Sequence, residues 1–141
     1  MEILSPIHGT IVYEEDEIIT FEKGVPGFQD LKNFVIKEVG EDSPFSILQS
    51  IEDKEIGFIL ISPFLVNDKY EINLSKEIIN NLKIKSPDEV LLYSIVTLSS
   101  NMKEITANLK APIVINLNTK NAEQYIIDKD TYKIKEKIFS Q

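Results

Sequence analysis

The chain has no cysteine, no tryptophan and no arginine. Without cysteine there is no disulfide and no thiolate metal ligand, which agrees with a reducing compartment. Arginine is the usual side chain for forked recognition of phosphate or carboxylate and for anchoring interfaces. A binding surface here must therefore draw on aromatic and aliphatic side chains. The lack of tryptophan argues against stacking platforms for sugars. His8, beside Gly9, is the single histidine, so a zinc site would need carboxylates from elsewhere in the chain. A turn or surface role is the simpler reading of His8. All five glycines fall at or before Gly57, so the second half must turn with Asn, Asp, Ser and Pro.

Long apolar runs are missing too. The longest, around Phe58 to Val66, is broken by Ser62 and Pro63 and is too short to span a bilayer. The first lysine is Lys23, so the start lacks the basic region of a secretory signal. A soluble cytoplasmic protein without membrane contact is expected. There is no G-x-S-x-G elbow, phosphate loop or Gly-rich dinucleotide fingerprint. The run Glu14-Glu15-Asp16-Glu17 lacks the alternating ligands and central glycine of a calcium loop and reads as a solvated tip. Acids are plentiful enough to supply a glycosidase pair, but no motif brings two together. No catalytic residue, cofactor or metal ligand is assigned.

What the chain does contain is enough for a core. At 141 residues and 43% apolar content it reads as one domain over 1–141. A domain of this size buries roughly 70% of its unfolded surface. The net charge is −8 and unevenly spread. Residues 1–60 hold 13 acids and 4 lysines, a net of −9, and residues 61–141 hold 10 acids and 11 lysines, a net of +1. Such an acidic half repels phosphate backbones and favours a basic protein partner, so direct nucleic-acid binding is not expected. The plainer alternative is that the acids only maintain solubility.

The pattern along the chain is of short β-rich runs between turn residues. Thr10 to Tyr13 and Ile18 to Phe21 flank the acidic tip and predict a hairpin. Phe34 to Val39, Phe45 to Ile51, Ile56 to Ile61, Val90 to Leu98, Glu104 to Leu109, Ile113 to Leu117 and Tyr125 to Ile127 predict further strands. Lys133 to Ile138 alternates as a terminal strand does. One helix is predicted from Ser75 to Leu82, with Ser75 as cap and Ile78, Ile79 and Leu82 on one face. Helices between successive strands are missing, which excludes a doubly wound parallel sheet. The expected fold class is all-β: a compact β-barrel-like domain of short antiparallel strands with one short helix.

Some residues stand out from this pattern. In Gly24-Val25-Pro26-Gly27, Pro before Gly suits a type II turn. Asn108 and Asn116 bracket the turn around Pro112. Both asparagines can bond turn backbone; Asn108 is read that way, Asn116 is left between that and a contact, and Pro112 is read as fixing the start of a strand. Gln49 and Ser50 interrupt an apolar strand, either as satisfied polar groups or as contacts. Phe28 either covers the core beneath its turn or projects as an aromatic anchor.

Three blocks in order resemble the FliW family of flagellar assembly factors: Phe21-Glu22-Lys23-Gly24-Val25-Pro26-Gly27-Phe28, Pro44-Phe45-Ser46-Ile47-Leu48-Gln49-Ser50, and Thr106 through Asn116. Gln124, Tyr125 and Ile126 resemble the family's closing segment, while the stretch from Asp128 matches only loosely. The resemblance implies a β-barrel-like fold without enzyme activity and two protein partners. One is flagellin, held before export. The other is CsrA, an RNA-binding translational repressor that FliW sequesters once flagellin has left. Candidate partner contacts are Phe28, Gln49, Ser50 and Asn116; Gly24, Pro26, Gly27, Asn108 and Pro112 are assigned to the fold. A monomer is expected. Two readings from other classes compete with this one: a carbohydrate-binding β-module, and a hydrolase using buried carboxylates.

Overall fold

The computed structural model describes residues 1–6 and 8–139. Its elements are β1 Glu2–Ser5, β2 Gly9–Val12, β3 Ile19–Thr20, β4 Asn33–Glu38, β5 Phe45–Ser50, β6 Gly57–Ile61, α1 Pro63–Val66, α2 Lys76–Asn81, β7 Val90–Thr97, β8 Thr106–Ala107, β9 Ile113–Asn116, β10 Ala122–Gln124 and β11 Glu136–Lys137. The main sheet runs β10-β9-β7-β6-β5-β4-β3, with β8 on β7 and β11 on β8. Every strand ladder is antiparallel. The two ends of the sheet meet at one parallel bridge, Thr20 to Asn121. There the Thr20 N–H donates to the Lys120 carbonyl at 2.8 Å. The sheet therefore curls toward a barrel without closing into one.

Inside the curl lie Phe21, Phe34, Leu48, Leu60, Ile113 and Ile115, each at most 1% exposed. Two further layers cover the outside. The separate β1–β2 ribbon lays Ile11 and Tyr13 over Val35 of β4. Helix α2 lays Ile78 and Leu82 over Val114 of β9. Burying each of these aliphatic side chains contributes about 1.5–3 kcal/mol, which a six-residue helix cannot supply alone. Ser75 caps α2 as the sequence predicts, its Oγ accepting from the Ile78 N–H at 3.3 Å. β6 is nearly all apolar because it lies centrally, with β5 on one side and β7 on the other.

Several expectations change, and the strand expected over Glu104 to Leu109 contracts to Thr106–Ala107. The runs around Thr10 and Ile18 do not form a hairpin together: β2 pairs back onto β1 and β3 pairs with β4. The acidic tip between them is a 3-10 turn, Glu15–Glu17, held by reciprocal Glu14 and Glu17 contacts. A second short helix, α1, starts where Ser62 caps and Pro63 occupies the first turn. The strand that pairs with β9 at the sheet's end is Ala122–Gln124 rather than Tyr125–Ile127. Tyr125 and Ile127 run on as bonded coil, their N–H groups donating to the Pro112 and Lys110 carbonyls at 2.9 and 2.8 Å. The terminal strand contracts to Glu136–Lys137 on β8.

Candidate interaction surfaces

The Gly24–Phe28 segment makes a tight corner between β3 and β4. The Phe28 N–H donates to the Val25 carbonyl at 2.7 Å across Pro26 and Gly27, and Gly27 has φ +88°. That is type II geometry, with the left-handed residue where a glycine costs least. Gly24 also has positive φ, and a Cβ there would run into the Gln29 backbone. Phe28 is 38% exposed and meets Phe58 edge-on, with centroids 5.9 Å apart. Among the four candidate contacts it is the one with surface to offer.

The other three candidates face inward. Gln49 is 1%, Ser50 0% and Asn116 1% exposed. Gln49 Nε2 donates to the carbonyls of Ser50, Lys54 and Ile56 at 3.0–3.1 Å, and Ser50 Oγ accepts from the N–H groups of Glu52 and Asp53. Together they fold the β5–β6 loop. Asn116 Nδ2 donates to the carbonyls of Leu82 and Lys83 at 2.7 and 3.3 Å, while its Oδ1 accepts from Asn118 and Thr119 N–H. It ties the end of α2 to the β9–β10 turn. Buried polar groups need such partners. In this conformation all three act as internal braces and offer a partner almost no surface. Asn108 is half-buried, its Oδ1 accepting from Lys110 and Ala111 N–H at 3.1 and 3.0 Å just before buried Pro112.

Two chemically distinct exposed features remain. The first is a set of acids. Of the acids in residues 1–60, all but Glu17 are classed as exposed. Lys37 is neutralised by Glu17 at 2.6 Å, and Lys23 reaches Glu123 at 3.5 Å. Lys37 also holds the Glu17 carboxyl below its ordinary range, and the N–H groups of Asn33 and Lys32 do the same for Glu52. Both carboxylates are therefore harder to protonate than a free glutamate. The second feature is an apolar groove of about 650 Å³ whose lining includes Phe64, Ile72, Leu74, Ile79, Ile84 and Leu92. Lys85 is the one charged side chain on that lining. Local sequence did not announce the groove, because each contributing run reads as ordinary core pattern. Among the described residues no group of three or more His, Asp or Glu side chains is placed to hold a metal ion. No described helix is long and apolar enough to cross a membrane.

The family model described as "FliW protein" matches residues 2–138. The flagellar assembly factor FliW of Clostridium tetani is 47% identical, with 100% of this chain and 97% of that protein covered. Its counterpart in Clostridium beijerinckii is 44% identical over the full length of both. A crystal structure of a flagellar assembly factor FliW superposes with a TM-score of 0.92 at 38% identity, covering 100% of this chain and 99% of that one.

Proposed function

The chain belongs to the FliW family, and from that premise we propose that it is a non-enzymatic, cytoplasmic partner-switching regulator of flagellar assembly. It holds flagellin before export. When free of flagellin it binds CsrA, and CsrA then releases the flagellin message. The observation that best supports the CsrA arm is the exposed acidic half. An RNA-binding repressor presents a basic surface, and an excess of opposite charge speeds encounter. The same acids disfavour direct contact of this chain with nucleic acid. The carbohydrate-module alternative has no tryptophan to serve as a stacking platform.

The test is the association rate with purified CsrA across a salt series, followed by stopped-flow fluorescence. The rate falls as salt rises, because surface charges are screened over about 8 Å at physiological ionic strength. A rate indifferent to salt refutes acidic recognition of CsrA.

A further inference from the structure

β7 has a stretch of edge on which no strand pairs, although α1 packs against the strand. Val90–Tyr93 pair with β9 on one side of the strand, while Ser94–Val96 pair with β6 on the other. β6 stops at Ile61, opposite Ser94, because Ser62 and Pro63 turn the chain into α1. From Ser94 back to Val90, nothing takes the place of β6 in the ladder.

The alternation of a strand says which backbone groups face that vacancy. The Glu89 carbonyl accepts from Leu117 N–H at 2.8 Å, and the Ile95 carbonyl accepts from Asn108 N–H at 2.9 Å. Odd-numbered residues of β7 therefore turn their amides toward β9 and β8, and even-numbered ones toward β6. Val90 N–H is already given to the Pro87 carbonyl. Leu92 sits opposite Val114 in a pair of the kind that exchanges no hydrogen bonds. Its N–H and C=O face the vacated place and have no hydrogen-bond partner among the described residues. The apolar groove runs along this edge, with Ser62 and Phe64 among its lining residues and Ile72, Leu74 and Ile79 on α2 and the segment before it.

We propose that this groove receives an extended peptide segment, which adds to β7 as a strand through the Leu92 N–H and C=O. A helix satisfies its own backbone and would leave those two groups unpaired; an added strand satisfies them. The segment carries apolar side chains at alternate positions, to match the apolar lining. It also carries an acidic side chain for Lys85. Lys85 is exposed, the only charge on the lining, and in no ion pair among the described residues. The nearby Glu89 carboxylate is already held by Lys85 N–H at 2.7 Å and Asn118 Nδ2 at 3.0 Å. At about 3.3 Å per residue, the free edge suits a segment of about four or five residues. This inference stands apart from the identity of flagellin and CsrA as partners.

The probes are two labelled hexapeptides, Asp-Val-Thr-Ile-Thr-Leu and its reverse, because an added strand can run either way. Binding is read by fluorescence anisotropy and by NMR amide exchange on the full chain. Saturation with the better peptide slows exchange of the Leu92 amide about tenfold or more, while Leu91 and Tyr93, already paired to β9, do not change. N-methylation of alternate peptide amides abolishes binding. Lys85→Glu weakens it roughly fivefold, the upper end for an exposed pair, and replacing the peptide's Asp by Lys restores it. The proposal is overturned if neither peptide binds at about 1 mM, the weak end of specific recognition. It is overturned equally by binding that leaves Leu92 exchange unchanged, or by N-methylated peptides that bind as well. Equal affinity for Lys85→Glu overturns the acidic recognition. Leu92 protection that rises with protein concentration in the absence of peptide overturns the peptide as occupant and gives the edge to a second copy of the chain.

Discussion

Asn116→Ala tests whether the buried polar residues are braces. The side chain makes four hydrogen bonds, and two of them close the end of α2 through the Leu82 and Lys83 carbonyls. Lys83 has φ 54°, a left-handed conformation that needs such an anchor. Asn118, Thr119 and Lys83 are exposed and find water when the amide is removed. Leu82, at 3% exposure, does not. An unpaired buried carbonyl costs about 1–3 kcal/mol, and each lost turn bond adds up to about 1 kcal/mol. A total near 3 kcal/mol is expected. With about 2.1 cal/mol/K of unfolding entropy per residue, that lowers Tm by about 10 °C. Urea and thermal melts followed by circular dichroism read both numbers. Asn116→Asp keeps the acceptor but sets a carboxylate against two carbonyls, so at neutral pH it destabilises at least as much as Ala. Partner affinity of the folded Ala variant stays at the parent value. A loss under about 1 kcal/mol, or an Asp variant milder than Ala, refutes the bracing role.

Gly24→Ala destabilises by about 2 kcal/mol or more, from positive φ plus collision with the Gln29 backbone. Gly9→Ala has the same sign of φ but open space around it, and costs only about 1 kcal/mol. Urea titration of the pair separates the collision from the φ cost; equal losses contradict it. Asn108→Ala costs about 1–3 kcal/mol without changing partner affinity, measured by melts and calorimetry. Glu17 and Glu52 have folded-state pKa values below their ordinary value of 4.5. Their contribution is therefore complete above about pH 4.5 and is lost as pH falls through the folded values. Glu52→Gln gives a flatter acid limb in a stability–pH profile, and an unchanged limb contradicts the assignment.

Local pattern carried most of the element types. The strand runs of β4 and β5, the β-branched run of β7 and the Ser75 cap all lie where the residues place them. Pairing did not follow from pattern. The acidic tip at Glu14–Glu17 looks like a hairpin loop whether β2 pairs forward or back, and only the burial of Ile11 and Tyr13 on Val35 decides. β1 escaped because Glu-Ile-Leu-Ser is short, lacks alternation and runs into Pro6. α1 hid inside an apolar run, although Ser62-Pro63 is a helix start. Among candidate contacts, Gln49, Ser50 and Asn116 were ambiguous for one reason: a polar residue in an apolar strand looks the same whether it bonds a loop or a partner. The groove joins residues from 62 to 93 across three elements, so no single stretch displays it.

The central claim is the switch itself, and a three-component titration tests it most directly. Labelled leader RNA is bound to CsrA and followed by fluorescence anisotropy while this chain is added, and flagellin is added afterwards. An affinity difference of about 1.4 kcal/mol moves partner preference tenfold, so modest flagellin concentrations suffice to reverse the exchange. The account predicts that RNA leaves CsrA as the chain is added and returns with flagellin. RNA that stays on CsrA throughout, or a stable complex of all three proteins, contradicts it.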